Sequence, residues 1–428
     1  MGHIAKDILT NTESYDAITS VTKSFSQYRH LTFNILSQIE GGALEIKEGN
    51  QSTWFGDKEA DLTGQIVVHD QSFYKDIVLE GSIGASEAFI AGKWGSPNLT
   101  CVIQIMARNQ SQLDKIERKT QWLSKLKNAF IRRSNLNTAK GAKKNILAHY
   151  DIGNELYQRF LDDSMQYSSA IYGSDSQSLA QAQQNKMRTI CERLSLSEDD
   201  HVVEIGTGWG GLAIFMAQNY GCKVTTTTIS DAQYEFAHNR VSELGLQDQI
   251  TLLKKDYRTL TGEYDKLVSI EMIEAVGHEY LSTFFTVCSG LLKEDGKMLI
   301  QSITIADQRY EQYRKGTDFI QKHIFPGGCL PSIAEMSKHF SASTDMVVHQ
   351  VHDIGLHYAR TLKDWRDGFE NNWNSLKALG YNDEFKRLWL FYFCYCEGAF
   401  LERVISTHHI VARKPRYRGP EDESVLAY

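Results

Sequence analysis

Proline is scarce: there are five in 428 residues, so no Pro-rich linker is expected. Cysteine is sparse as well. The seven cysteines, at 101, 191, 222, 288, 329, 394 and 396, are odd in number and include no CxxC pair. Neither a disulfide framework nor a zinc site is therefore expected, and a reducing cytosol fits. Long apolar runs are missing. The longest, Leu388 to Cys396, falls far short of the roughly 20 residues that span a bilayer, so any membrane contact is expected to be peripheral. The opening stretch MGHIAKDILTNTESYD has no apolar h-region, so a secretory signal peptide is not expected. An excess of basic charge is also lacking. Lys and Arg total 46 against 53 acidic residues, a net charge of -7, which argues against a generic nucleic-acid binder. What remains is ordinary for a globular chain, with 42% hydrophobic and 23% charged residues. The length predicts two or three domains.

One stretch breaks the acidic balance. Lys115, Arg118, Lys119, Lys125, Lys127, Arg132, Arg133, Lys140, Lys143 and Lys144 face only Asp114 and Glu117. Trp122, Leu126 and Phe130 recur at helical spacing, with Leu123 and Ile131 beside them. The pattern is a basic amphipathic helix followed by a polar stretch. Two meanings stay open: a solvated connector whose apolar stripe packs on a neighbour, or a surface for anionic lipid headgroups.

Around this linker (residues 113–145) the chain divides. Residues 1–112 show strand-like pieces at Ala43–Ile46 and Gly64–His69. A Gly81-Ser82-Ile83-Gly84 turn then leads into a helical segment at Ser86–Phe89. No catalytic constellation stands out there, and a small α+β accessory domain is expected. Residues 146–428 read as α/β. Short apolar strands at His201–Ile205, Lys223–Thr227, Ile250–Leu253, Lys266–Ile270 and Lys297–Ser302 alternate with helical patterns. That alternation predicts a doubly wound, mostly parallel sheet.

The sharpest local signal is Val202-Val203-Glu204-Ile205-Gly206-Thr207-Gly208-Trp209-Gly210-Gly211. A buried strand runs into a glycine-rich turn and then a helix beginning near Leu212. A dinucleotide site is the competitor, and the spacing weighed against it is Glu-x-Gly-x-Gly-x-Gly. An acidic residue ahead of the first glycine suits the ammonium of an amino-acid moiety, which points to S-adenosylmethionine. The second strand ends at Thr228 and Gln233, neutral candidates for the ribose. Asp256 and Tyr257 follow the next strand, where an adenine amino group is usually read, although Asp256 equally suits a helix cap.

Further blocks extend the pattern: His149–Tyr157 (HYDIGNELY), Met165–Ala170 (MQYSSA), Glu274–His278 (EAVGH), Ile324–Ser332 (IFPGGCLPS), Gly355–Tyr358 (GLHY) and Cys396–Phe400 (CEGAF). With the glycine motif, these resemble the cyclopropane-fatty-acyl-phospholipid synthases and the related mycolic acid cyclopropane synthases. They fall in family order over residues 145 to 415, and the region before the linker looks like the accessory domain of the phospholipid-acting branch. The resemblance implies a Rossmann-like methyltransferase domain and S-adenosylmethionine as methyl donor. It further implies an unsaturated acyl chain of a membrane phospholipid as substrate, a homodimer, and peripheral attachment to the inner face of the membrane.

It also implies site residues. In the family a bound bicarbonate removes a proton after methyl transfer, and a Cys, a Glu, a His, a Tyr and backbone groups hold that anion. The Glu falls on Glu274, the Tyr on Tyr358 and a backbone contact on Ile303. Tyr167 and Ser168 fall where the methionine part of the cofactor is gripped. Two positions depart from the pattern: Ser169 stands where the family has Cys, and Gln301 stands where it has His. Both still hydrogen-bond an anion, but Gln carries no charge. A cyclopropane is the first expected product and a methyl-branched alkene the alternative. A small-molecule N-methyltransferase and a non-catalytic membrane adaptor are more distant readings. Glu271, one helical turn before Glu274, is a spare carboxylate.

Overall fold

The computed structural model describes residues 26–113 and 153–420. The basic linker helix therefore lies outside the described residues. The chain divides into two compact units, residues 1–127 with 381–398, and residues 128–380 with 399–428.

The first unit is built on four strands, β1 (Ala43–Glu48), β2 (Gln51–Gly56), β3 (Thr63–Val68) and β4 (Trp94–Gly95), in the order β2-β1-β3-β4. β1 and β2 form a hairpin, whereas β1 and β3 run parallel. Between β3 and β4 lies α1 (Ser72–Ile90). The expected turn at Gly81 is a kink inside this helix, where Gly81 takes φ 60° and ψ -135°. That mirror-image backbone is open to glycine alone at no cost. Helix α2 (Leu99–Arg108) packs its Val102 and Ile105 inward. Trp94 gathers Phe73 and Phe89 around it, with ring centroids 5.6 and 5.0 Å away. The long helix Asp383–Leu401 supplies Phe391, 5.5 Å from Phe89, and Arg387, whose Nε donates to the Ile90 carbonyl at 2.6 Å. Nothing in the sequence marks residues 381–398 as belonging with this unit, because aromatic runs pack equally well in any core.

The second unit holds a seven-stranded sheet. In chain order its elements include α3 (Leu179–Leu194), β5 (His201–Ile205), α4 (Gly211–Tyr220), β6 (Lys223–Thr227), α5 (Asp231–Glu243), β7 (Ile250–Leu253), β8 (Tyr264–Ile270), α6 (Leu281–Gly290), β9 (Leu292–Ile305), α7 (Ile333–Ser343), β10 (Val347–Asp353), α8 (Gly355–Asn371) and β11 (Ile405–Arg413). The sheet order is β10-β11-β9-β8-β5-β6-β7. β9, β8, β5, β6 and β7 are parallel, while β11 and β10 close the far edge antiparallel. The sequence reading placed the five parallel strands and omitted the antiparallel pair.

Adjacent strand residues face opposite sides of a sheet, and two cores follow from that. Val203, Met298 and Ile300 join Phe284, Phe285 and Phe340 on one face. Val202 and Leu299 join Met187, Ile190 and Leu212 on the other. The strand order reverses beside β5, with β6 on one side and β8 on the other. In doubly wound sheets ligands bind in the crevice at such a reversal, beyond the carboxyl ends of the strands. The glycine motif sits at that end of β5.

Candidate active site

The loop after β5 places glycine at three positive-φ points. Gly206, Gly208 and Gly210 have φ of 104°, 52° and 85°, a region costly to any residue with a Cβ. The amides of Gly206 and Thr207 both donate to the Thr227 carbonyl, at 3.1 and 3.0 Å. A Cβ at Gly208 would meet nothing within 4 Å, so this turn offers an open backbone cradle at the switch point. That is what the adenosyl and methionyl parts of S-adenosylmethionine require.

Glu204 lies beneath the loop, 3% exposed. Its Oε2 accepts from Thr226 Oγ1 at 2.7 Å, and Thr226 in turn meets Thr207 Oγ1 at 2.7 Å. Burial pushes the Glu204 carboxyl up to about 8, against the opposing pull of Thr226 and Lys186. Thr228 and Gln233 are brought together at the end of β6, where Thr228 Oγ1 donates to Gln233 Oε1 at 3.0 Å. Asp256 caps the short turn Tyr257–Thr259 and grips Arg258, with Oδ1 2.9 Å from Nε and Oδ2 2.5 Å from Nη2. Tyr257 packs its ring on Phe284 at 5.6 Å.

Tyr167 joins a row of aromatic contacts. Trp209 meets Tyr157, which meets Tyr167, which meets Trp365, at 4.9, 5.2 and 5.1 Å between centroids. Tyr358 continues the row from Trp365, and Phe400 stacks on Tyr358 at 4.6 Å. Next to Tyr167, Ser168 accepts from Lys186 Nζ at 2.9 Å, and Gln166 Oε1 accepts from the same ammonium at 2.7 Å. Lys186 is completely buried, and burial pulls its ammonium down to about 8. It was not singled out from the sequence. The signal was there: Ala182, Lys186, Ile190 and Leu194 share one helical stripe, so the lysine stands among buried positions.

Three of the five positions expected around the anion, Ser169, Gln301 and Tyr358, assemble on a carboxylate of the chain itself. Glu271 Oε1 accepts from the Ser169 amide at 3.0 Å and from Gln301 Nε2 at 2.7 Å. Its Oε2 accepts from the Tyr358 hydroxyl at 2.8 Å. Glu274 is held separately. Its Oε1 accepts from the Ile303 amide at 2.5 Å and from Ser302 Oγ at 3.1 Å. Its Oε2 is buried without a hydrogen-bond partner. Burial, followed by the charge on Glu271, pushes Glu274 up to about 8. Burial also raises Glu271, while its three donors pull it back. Ser169 contributes its amide, since its hydroxyl turns to the Ala170 carbonyl at 3.1 Å.

Behind Gln301 stands a relay that sequence reading missed. Arg193 Nη1 lies 2.6 Å from His409 Nδ1, and His409 Nε2 lies 2.8 Å from Gln301 Oε1. Arginine only donates, so Nδ1 accepts and Nε2 carries the hydrogen. Gln301 Oε1 therefore accepts, and its amide NH₂ is turned toward Glu271. His409 is fully buried and held neutral, its basicity lowered by burial and then by Arg193. By contrast His278 pairs with Tyr310 at 2.7 Å.

Residues 137–410 match the family described as mycolic acid cyclopropane synthetase. The cyclopropane-fatty-acyl-phospholipid synthase of Escherichia coli K12 is 36% identical over 353 residues, 81% of this chain and 87% of that protein. The tuberculostearic acid methyltransferase of Mycobacterium tuberculosis is 34% identical over 75% of this chain and 76% of its own length. Among solved structures, a mycolic acid cyclopropane synthase complexed with SAH and CTAB superposes with a TM-score of 0.60 at 28% identity. It covers 64% of this chain and 98% of that one. A coclaurine N-methyltransferase shares the fold at 18% identity, with a TM-score of 0.59. The chain thus belongs to the mycolic acid cyclopropane synthetase family and is an S-adenosylmethionine-dependent methyltransferase.

Proposed function

We propose that this enzyme methylates the cis double bond of an unsaturated acyl chain in a membrane phospholipid and closes the product to a cyclopropane. The observation that carries the reading is the pairing of two half-buried carboxyl side chains, Glu271 and Glu274, with an aromatic wall beside a glycine cradle. Bound S-adenosylmethionine supplies an electrophilic methyl group. The chain holds the cofactor with the backbone at Gly206, Gly208 and Gly210, with Thr228 and Gln233 toward the ribose and Asp256 and Tyr257 toward the base. Tyr167 and Ser168 grip the methionine end. Tyr358, Trp365 and Phe400 keep water from the alkene, a weak nucleophile that reacts only when dry and aligned. Lipid substrates named for the two curated relatives support an acyl chain over an amine.

Peripheral docking belongs to the same proposal. Among the described residues no helix is long and apolar enough to cross a membrane. The basic segment 114–144 is the candidate contact for anionic headgroups, and a homodimer on the inner face of the membrane follows the family resemblance.

The second reading, a methyl-branched alkene, is favoured by the departures at Ser169 and Gln301. Product analysis separates the two. Purified enzyme is incubated with methyl-labelled S-adenosylmethionine and liposomes of cis-monounsaturated phospholipid, and the released acyl chains are weighed by mass spectrometry before and after hydrogenation. The expected labelled product resists hydrogenation. A labelled product that takes up hydrogen establishes the branched alkene, and an unlabelled lipid overturns both.

A substitution tests the cradle. Gly208→Leu adds about 1–2 kcal/mol of backbone strain but meets no wall, so the fold survives. Affinity for S-adenosylhomocysteine by calorimetry is expected to fall roughly 100-fold, near 3 kcal/mol. Unchanged affinity would move the cofactor off this loop.

A further inference from the structure

The cation left after methylation must lose a proton, and two observations identify the group that takes it. The first is convergence. Three of the positions expected around an external anion, the Ser169 amide, Gln301 and Tyr358, all donate to Glu271. Of the other two, the Ile303 amide donates to Glu274. Their hydrogens are used up by the chain itself, and a second anion would sit against a buried carboxylate. The second observation is backbone. Glu271 follows β8 with φ 48°, left-handed for a residue that bears a Cβ. Its amide is tied to the Gln301 carbonyl at 2.8 Å. Such strain persists only where the surroundings over-determine it, and here it aims a carboxylate into the cluster.

We propose that Glu271 is the proton acceptor of the reaction and replaces the external bicarbonate of the family. This rests on the acyl-methylation reading above. In the step, a C–H bond of the newly added methyl breaks. Its electron pair becomes the C–C bond that closes the ring, the cationic carbon is neutralised, and the proton passes to a Glu271 oxygen. If the C–H bond broken is on the neighbouring CH₂, the same pair becomes a C=C bond and the branched alkene results. The proton returns to water when the product leaves. Burial raises the Glu271 carboxyl, which suits a group that must take up a proton, while its three donors pull it back toward the ionised form, and the Arg193–His409–Gln301 relay fixes the donor nearest to it.

The test removes the carboxylate and offers a small one back. Wild-type enzyme is assayed in CO₂-stripped buffer and again with millimolar bicarbonate, beside Glu271→Gly and Glu271→Gln. Glycine suits φ 48°, so that variant is expected to fold, as a melting curve will check. Wild-type turnover should be indifferent to bicarbonate. Both variants should lose roughly 10²–10⁴-fold, the usual worth of a positioned base. Glu271→Gly alone should recover with bicarbonate or formate. A second readout does not depend on turnover. ¹³C-bicarbonate should show no NMR line broadening with wild type and clear broadening with Glu271→Gly. Wild type that binds bicarbonate, or that loses activity when CO₂ is stripped, overturns the proposal, as does full turnover of Glu271→Gly in CO₂-stripped buffer without formate. If no lipid is labelled under any condition the substrate reading fails, and the bicarbonate-binding arm still decides whether Glu271 fills the anion's place.

Discussion

Lys186→Met is expected to lower the melting temperature by on the order of 10 °C at pH 7, and by clearly less at pH 5.5. The ammonium is wholly buried and bonded to Gln166 and Ser168, and the negative groups that act on it are Glu271, Asp162 and Glu204. Methionine fills the same volume without charge. Removing one partner from a buried charged set costs about 3–5 kcal/mol, because the remaining charge is stranded. At about 2–4 °C per kcal/mol for a domain of this size, the shift is large. The sign of the pH effect follows from the charge stranded on Glu271, which already holds a proton more tightly than a free carboxyl. At low pH the variant neutralises it and escapes part of the cost. The same substitution should raise KM for S-adenosylmethionine more than it lowers kcat, because Gln166 and Ser168 flank Tyr167. Scanning calorimetry at both pH values checks the first claim. Equal losses at the two would reduce Lys186 to packing.

Much of this architecture can be read from the residues. β5, β6 and β7 sit where short β-branched and apolar runs alternate with helical periodicity, as suits parallel strands covered on both faces. The glycine loop is legible because three positive-φ positions leave a sequence mark. The carboxylate cluster is only half legible. Glu274 and Tyr358 stand out through family register, while Glu271 looks like one more polar residue after a strand. Its role depends on Ser169, Gln301 and Tyr358, which lie far away in sequence and meet only through the fold. His409 and Arg193 are hidden for the same reason: a hydrogen bond between a helix and a strand far apart in sequence leaves no periodicity. Of the antiparallel pair, β10 escaped because it is polar and half-exposed, and β11 because Ser406-Thr407-His408-His409 leaves it only a short apolar run.

Glu204→Gln should abolish a falling limb of stability between about pH 5 and pH 7.5. The folded Glu204 carboxyl titrates near 8, well above its ordinary 4.5, because burial disfavours its charged form. Between those values the folded chain binds more protons than the unfolded chain. By linkage, stability then falls as pH rises, at about 1.4 kcal/mol per pH unit where the difference is a full proton. Glutamine is neutral throughout and its carbonyl still accepts from Thr226. Wild type and variant should therefore unfold alike near pH 5, and the variant should pull ahead by on the order of 3 kcal/mol near pH 7.5. Glu274 is raised in the same way, so the double variant with Glu274→Gln should flatten the profile further. Urea unfolding at half-unit steps of pH gives the curves directly. Parallel curves for wild type and Glu204→Gln would mean that Glu204 is ionised in the fold, with Lys186 as its counterion. The ammonium would then be shared between Glu204 and Glu271, and Glu271 would no longer have Lys186 to itself as its positive neighbour.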